Sequence, residues 1–200
     1  ITSNFAAFLK KHTNWLEDFA LFMAIKSAHG GVAWNEWPEG LRLRDPEVLQ
    51  TFKKEHHDEI VFQSYLQFLF YHQWHALREY ANHKGIRIIG DIPIFAAYDS
   101  ADVWVHKDLF YLDEEGLPEV VAGVPPDYFS KTGQLWGNPL YKWEIHQENG
   151  YAWWLDRLTA VLDQVDIVRL DHFRGFEAYW EIPYGNQTAV EGQWVTGPSH

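Results

Sequence analysis

The 200-residue sequence contains no cysteine, has few cationic side chains and lacks a long apolar segment. Without cysteine, disulfide bonds and thiolate chemistry are excluded, which fits a cytoplasmic protein. The 28 Asp and Glu residues outnumber the 16 Lys and Arg residues, and the net charge of -12 argues against nucleic acid or an anionic membrane as a partner. No run of about 18 apolar residues occurs, so a membrane-spanning helix is not expected.

Aromatic residues are abundant, with 11 Trp, 10 Tyr and 13 Phe. Aromatic faces pack well against the apolar faces of sugar rings, so this composition suits a glycan-binding protein. Most of these side chains are nevertheless expected to fill a core. With 46% hydrophobic and 22% charged residues, the chain is predicted to fold as a globular protein.

A short apolar segment, 165–170, is followed directly by Asp171 and predicts a buried strand that ends in charge. Alternation along a strand puts Arg169 and Asp171 on the same face. A guanidinium beside a carboxylate keeps that carboxylate ionised, and a positioned, ionised carboxylate is what a glycosidase-type nucleophile requires. The alternative is a structural Arg–Asp pair in an ordinary sheet or barrel.

Helices and strands are predicted to alternate twice with the same pattern. A helix over 55–83 leads into a strand over 86–90 and then Asp91, and a helix over 151–163 leads into the strand before Asp171. Such alternation is typical of a parallel α/β fold, and carboxylates at carboxyl-terminal strand ends are typical of a (β/α)8 TIM-type barrel. The predicted fold class is therefore α/β, with a partial (β/α)8 barrel.

Local signals predict further helices and argue against a metal site. Asn14 is expected to cap a helix over 15–29, and Asp45 one that starts at Pro46. On the 55–83 helix, the predicted buried side consists of Phe62, Tyr65, Leu66, Leu69, Trp74, Leu77 and Ala81.

His72 and His75 lie three residues apart on that helix, but no H-E-x-x-H signature is present, so neither a metal nor a cofactor is predicted.

The segment 96–149 has weak periodicity and is rich in Gly, Pro, Asp and aromatic residues. It is too long for a plain connection, so we interpret it as an ordered loop insertion that covers substrate. A disordered insertion is disfavoured, because Tyr128, Phe129, Trp136, Tyr141 and Trp143 are expected to be costly to leave in water.

Two features predict that residues 1–200 are an internal fragment of a single catalytic barrel domain. Only two barrel-type strands and one weaker candidate can be identified, whereas a complete barrel needs roughly 250 residues. The chain also begins at Ile1 instead of Met, without the pattern of a secretory signal peptide.

Several long motifs resemble the 4-alpha-glucanotransferases (amylomaltases, or disproportionating enzymes) of the wider alpha-amylase superfamily. They are V-R-L-D-H-F-R-G-F, G-D-I-P-I-F, P-P-D-Y-F-S-K-T-G-Q-L-W-G-N-P-L-Y, W-L-E-D-F-A-L-F-M-A-I-K and G-G-V-A-W-N-E-W-P-E-G-L-R. The resemblance covers essentially the whole chain. It implies transfer of a 1,4-alpha-glucan segment to the 4-hydroxyl of glucose or another 1,4-alpha-glucan, by a retaining double displacement without a cofactor.

The resemblance also implies roles for individual residues. Asp171 matches the catalytic nucleophile, Arg169 the arginine that supports it, and Asp91 a carboxylate that contacts the sugar next to the scissile bond. The implied substrate-binding residues are Tyr128 and Phe129 in a loop over the glucan, Trp136 and Asn138 near the acceptor side, and His172 after the nucleophile. The family's general acid/base, a Glu on a later strand, has no counterpart in this sequence, so the isolated chain is expected to be inactive.

Two other functions stay open at this stage. One is an alpha-glucan hydrolase of the same superfamily, which the long aromatic loop argues against. The other is a non-catalytic, glucan-binding fragment, which the absent acid/base favours and the Arg169–Asp171 arrangement argues against.

Overall fold

The computed structural model describes residues 3–198 and divides the chain into two compact units, 1–88 and 89–200. The first unit is helical. Its helices are α1 (Ser3–Lys11), α2 (Leu16–Ala28), a 3-10 turn (Trp34–Glu36), α3 (Glu39–Arg42), α4 (Pro46–Glu55) and α5 (His57–His83). Together with the second unit, they make the protein a mixed α/β chain. This confirms the predicted α/β class.

The capping signals are right in one case and wrong in the other. Asp45 caps α4, and its carboxylate accepts hydrogen bonds from the backbone N–H groups of Glu47 and Val48 at 2.9 and 3.0 Å. Asn14 does not cap α2, because the N-cap position falls on Trp15, whose side chain makes no capping bond. Trp15 instead packs against the core formed by Phe5, Phe8, Leu16 and Tyr71, and this tertiary contact outweighs the local preference for Asn.

The buried side predicted for α5 is wrong. Ser64 and Tyr71 are its buried residues, whereas Phe62 and Leu77 are 50% and 54% exposed. The face that packs on the core of α1 and α2 includes Val61, Phe68 and Tyr71. Apolar residues occur on more than one face of α5, so helical periodicity alone does not select the face that is covered.

The second unit contains two small sheets. A parallel pair consists of β1 (Ile89–Pro93) and β4 (Ile167–Asp171). A four-stranded antiparallel sheet has the order β3-β2-β5-β6, from β2 (Val120–Val124), β3 (Gln134–Pro139), β5 (Ala178–Pro183) and β6 (Gln193–Thr196). Between these strands lie α6 (Ala101–Val105), α7 (Trp143–Glu148), α8 (Ala152–Leu162) and 3-10 turns at Lys107–Leu109 and Phe173–Phe176.

Both predicted barrel-type strands exist, but their boundaries are shifted. The strand predicted over 86–90 begins at Ile89, because the backbone N–H of Ile86 still bonds to the carbonyl of Ala81 at the end of α5. Asp91 therefore lies inside β1 and not at its end. β4 begins at Ile167, and Arg169 and Asp171 are exposed, so the expectation of a buried strand is wrong. Within residues 3–198, only β1 and β4 form this sheet, so each has an unpaired edge.

The segment 96–149 has more regular structure than a loop. It contains α6, β2, β3 and α7, and β2 pairs with β5, which follows β4 in the chain. The sequence of a short strand shows little alternation of apolar and polar residues when its partners lie on distant segments. Those partners decide which of its side chains are buried.

Candidate functional site

Two parallel strands bring the predicted catalytic residues together. The register pairs Asp91 with Arg169, and Pro93 with Asp171. Arg169 Nε donates to Asp91 Oδ1 at 2.6 Å, and Arg169 Nη2 donates to Asp91 Oδ2 at 2.5 Å. The fork of the guanidinium thus binds the carboxylate of the neighbouring strand.

This pairing corrects one expectation from the sequence. Alternation along β4 suggested that Arg169 lies beside Asp171 as its partner, whereas both of its hydrogen bonds go to Asp91. These hydrogen bonds, and the charge of Asp91, raise the pKa of the Arg169 guanidinium, and Asp171 adds a smaller electrostatic contribution. A fixed positive charge therefore lies close to both carboxylates.

Four of the predicted site residues line one pocket of about 190 Å³. Asp171 and His172 contribute from the end of β4, and Trp136 and Asn138 from β3. The remaining wall is formed by Pro93 at the end of β1 and by Ile94 and Phe95, which follow it. Residues that are far apart in the sequence thus surround one cavity with a carboxylate, an amide, an imidazole and an indole.

Trp136 and Asn138 line the pocket from β3 on either side of Gly137, whose φ of 78° interrupts the regular alternation of the strand. The Asn138 amide donates to the carbonyl of Ala96 at 2.9 Å, and this bond ties β3 to the segment that follows β1. Trp136 Nε1 donates to Gln134 Oε1 at 3.0 Å, and its ring centroid lies 6.3 Å from that of Phe95. These contacts fix the orientation of both residues at the pocket.

His172 has a left-handed backbone conformation, with φ of 52°, directly after Asp171. This conformation is unfavourable for a residue with a Cβ atom, and it turns the chain sharply at the end of β4. The His172 ring packs edge-on against Trp136, with centroids 4.9 Å apart. Burial lowers the pKa of His172 below its usual 6.5, although the charge of Asp171 acts in the opposite direction. The imidazole is therefore mostly neutral at pH 7.

Tyr128 and Phe129 do not line the pocket. They lie between β2 and β3 and are 97% and 93% exposed, so the expectation that these two rings avoid water is wrong. Asp127 shapes this turn, because its carboxylate accepts from the backbone N–H groups of Phe129 and Ser130 at 2.9 and 2.7 Å. Of the other aromatic residues in that expectation, Tyr141 and Trp143 are buried, whereas Trp136 is 38% exposed.

Arg157, for which no role is predicted from the sequence, bonds to the pocket wall. From α8, its guanidinium donates to the carbonyls of Pro93 and Ile94 at 2.7 and 3.1 Å. The Ile94 carbonyl also accepts from the Tyr141 hydroxyl at 2.7 Å. A signal was available, because an Arg three and four residues after two Trp on one helix can stack on both rings.

Residues 3–198 contain neither a candidate metal site nor a candidate membrane-spanning helix. No cluster of three or more His, Asp or Glu side chains in this part of the chain has an arrangement that could hold a metal ion. No helix in the same part is both long and apolar enough to cross a membrane.

Comparisons with known proteins point to one family. A family model described as 4-alpha-glucanotransferase matches residues 1–200. The chain is 57% identical over 194 residues to a 4-alpha-glucanotransferase of Thermus thermophilus and 52% identical over 191 residues to one of Aquifex aeolicus. These matches cover 97% and 96% of this chain, but the chain spans only 39% of the length of each relative.

Solved structures agree with the sequence matches. An amylomaltase from Streptococcus agalactiae, solved in complex with acarbose, has a TM-score of 0.93 and 44% identity. That match covers 97% of this chain and 39% of the amylomaltase. An amylomaltase from Corynebacterium glutamicum has a TM-score of 0.75 at 21% identity, covering 98% of this chain and 25% of its own, and supports the likeness of fold alone.

Proposed function

Because this chain belongs to the 4-alpha-glucanotransferase family, we propose that it forms the nucleophile-bearing part of a site that transfers 1,4-alpha-glucan segments. The acceptor is the 4-hydroxyl of glucose or of another 1,4-alpha-glucan. The observation that carries the proposal is the pocket itself, where Asp171 lies with Trp136, Asn138 and His172. Four residues singled out from two separate motifs converge on one cavity of about 190 Å³.

The fold proposed for this part of the site is a portion of a (β/α)8 barrel. β1 and β4 are parallel, as barrel strands are, and α8 leads into β4. The high TM-score with the Streptococcus agalactiae amylomaltase supports this assignment. In such a barrel the carboxyl-terminal strand ends carry the chemistry, which fits the position of Asp171 as the last residue of β4.

The proposed reaction begins at Asp171. One of its carboxylate oxygens bonds to the anomeric carbon, and the glycosidic C–O bond breaks with its electron pair on the leaving oxygen. That oxygen takes a proton from a general acid, a Glu that the family resemblance locates outside this chain. The acceptor 4-hydroxyl then attacks the anomeric carbon, returns a proton to the same Glu and releases the Asp171 carboxylate.

The bonded pair of Arg169 and Asp91 has a supporting role in this proposal. The Arg169 guanidinium places a fixed positive charge close to the Asp171 carboxylate, which is released again at the end of the reaction. Asp91 contacts the sugar next to the scissile bond, and its two hydrogen bonds with Arg169 hold its carboxylate in place.

Aromatic residues bind the glucan in this proposal. Trp136 binds on the acceptor side, together with the amide of Asn138. Tyr128 and Phe129 close over the bound chain as part of the covering segment 96–149. His172 orients the end of β4. The exposure of Tyr128 and Phe129 supports this role, since two large apolar rings held in water by an Asp127 turn are available to a ligand. The complex of the Streptococcus agalactiae amylomaltase with acarbose is consistent with ligand binding in this family.

A chimera tests the proposal, since the general acid is expected outside this chain. In this chimera, residues 3–198 replace the matching segment of the Thermus thermophilus relative, which is 57% identical. With maltotriose as the substrate, we expect longer maltooligosaccharides and glucose with constant total reducing ends. Asp171→Asn should lower the rate by several orders of magnitude while the melting temperature stays close to that of the parent chimera.

Other product patterns would favour other functions. A rise in reducing ends without longer products indicates a hydrolase. A folded chimera that binds maltooligosaccharides but does not react indicates a glucan-binding role. Parental activity in the Asp171→Asn chimera would contradict the assignment of Asp171 as the nucleophile.

A further inference from the structure

We propose that Arg157, assisted by Tyr141, is a positioning residue that holds part of the wall of the pocket that contains the predicted nucleophile. This inference rests on the proposed function for its kinetic consequence. Its structural part is independent of that function. Neither residue lines the pocket, and each acts through the backbone of the segment after β1.

The contact involves successive backbone carbonyls at the end of β1. Arg157 Nη2 donates to the Pro93 carbonyl at 2.7 Å, and Nη1 donates to the Ile94 carbonyl at 3.1 Å. The Tyr141 hydroxyl donates to the Ile94 carbonyl at 2.7 Å and accepts from Arg157 Nη1 at 3.3 Å. Three hydrogen bonds from two side chains thus converge on Pro93 and Ile94, and a fourth joins the two side chains to each other.

The chemistry of the two side chains suits this contact. A guanidinium carries several N–H donors in a rigid plane, so it can reach both carbonyls, whereas a Lys ammonium is a single point donor. The guanidinium carbon lies 5.2 and 4.9 Å from the ring centroids of Trp153 and Trp154, so both rings hold its orientation. Burial raises the pKa of Tyr141 well above its usual 10, so the hydroxyl stays protonated and remains a donor.

The contact matters because the held backbone faces the predicted nucleophile. Pro93 is the register partner of Asp171, and Pro93, Ile94 and Phe95 line the pocket together with Asp171. The Ile94 side chain packs on Gly175, where an added Cβ would lie only 2.7 Å from Ile94 Cδ1. A shift of this segment therefore changes both the shape of the pocket and the turn that follows Asp171. A misplacement of about 1 Å can lower a rate by about a hundredfold.

Three variants of the chimera defined above remove the contact in different ways. Arg157→Lys keeps the charge but loses the fork, Arg157→Met keeps much of the stem but loses all donors, and Tyr141→Phe removes one hydroxyl. Two matched controls change similar groups in the helical unit, outside the covering segment 96–149. Lys53→Met removes a cation that pairs with Glu17 at 2.7 Å, and Tyr80→Phe removes the hydroxyl of an exposed ring on α5.

Two measurements separate positioning from general stability. The first is the kcat and KM of maltotriose transfer, taken at a temperature at which every variant is folded. We expect kcat to fall about tenfold or more for Arg157→Lys and Arg157→Met, and less for Tyr141→Phe, with both controls within about twofold of the parent. The second is amide hydrogen exchange, which we expect to become faster in residues 89–98 of the Arg157 variants but not of the controls.

The outcomes are distinguishable. Unchanged exchange in residues 89–98 of both Arg157 variants would overturn the inference, whatever the kinetics. A lower melting temperature with parental kcat and KM would show that Arg157 is only structural. If the parent chimera has no transfer activity that depends on Asp171, the proposed function fails. The exchange measurement then decides by itself whether Arg157 holds the segment.

Discussion

At the scale of single residues, burial lowers the pKa of two histidines that have different locations. His172 lies at the pocket beside Asp171, and burial lowers its pKa. His146 is fully buried among Tyr141, Trp143 and Trp153, with ring centroids 5.2 to 5.9 Å away. Burial also lowers the pKa of His146, while a backbone hydrogen bond at Leu109 and the charges of Asp108 and Glu144 act in the opposite direction. His146 is therefore neutral in the folded protein at pH 7.

His146 leads to a prediction about stability and pH. Its folded pKa is below the unfolded value of about 6.5, so the unfolded chain takes up a proton that the folded chain does not as the pH falls below 6.5. His146 therefore contributes its full stabilisation above about pH 6.5, and this contribution is lost as the pH falls through its folded pKa. We expect the urea midpoint to fall less between pH 7 and pH 5.5 in His146→Leu than in the parent chain.

A matched control uses Gln147, an exposed residue without a titratable group that follows His146 on α7. Gln147→Leu should keep the parental pH dependence. An equal change of the midpoint in the parent and in His146→Leu would contradict the prediction.

At the scale of elements, the turn between β2 and β3 combines a rigid backbone with two exposed rings. Asp127 Oδ1 accepts two backbone hydrogen bonds, and the Ser130 hydroxyl donates to the Gly133 carbonyl at 2.8 Å. The rings of Tyr128 and Phe129 pack edge-to-face with centroids 5.6 Å apart. The turn thus presents an ordered aromatic pair that costs little further conformational entropy on binding a ligand.

Substitutions in this turn are predicted to change the ratio of hydrolysis to transfer. If the two rings exclude water from the covalent intermediate, Tyr128→Ala and Phe129→Ala in the chimera should raise the fraction of hydrolysis. Asp127→Ala, which removes the acceptor of the turn, should have the same effect. Asp127→Asn keeps a side-chain oxygen that can accept these bonds and serves as the matched control. The ratio of new reducing ends to transfer products measures the effect, and an unchanged ratio in all three Ala variants would remove this role.

At the scale of the whole molecule, the exposed apolar side chains of α5 predict self-association of the isolated chain. Phe62, Leu66, Phe70, Leu77 and Tyr80 are all exposed on this helix of 27 residues. Side chains at this spacing lie on one face of a helix, and a contiguous exposed apolar face promotes association. The open edges of β1 and β4 favour association further, because unpaired strand groups can pair with another chain.

Paired substitutions on α5 test this prediction. We expect the double variant Phe62→Gln and Leu77→Gln to shift the isolated chain towards monomer in sedimentation velocity. The double variant His72→Gln and His83→Gln changes exposed polar positions of the same helix and should sediment like the parent. A parent chain that is monomeric and melts in one sharp cooperative transition would contradict the prediction.

The sequence by itself determined the elements that depend on interactions between residues close together in the chain. Asp45 and Pro46 specify the start of α4, the apolar runs before Asp91 and Asp171 specify β1 and β4, and the motif residues identify the family. These features depend on neighbours within a few residues, which the sequence displays directly.

Only the tertiary structure decided the contacts between distant segments. Arg169 bonds to Asp91 and not to Asp171, because the register of two strands far apart in the chain sets that pairing. The covered face of α5 follows from the helices that pack on it, since its apolar residues occupy more than one face. Arg157 reaches the pocket wall for the same reason: side-chain donors bind whichever carbonyls the fold brings to them, and no local pattern records that choice.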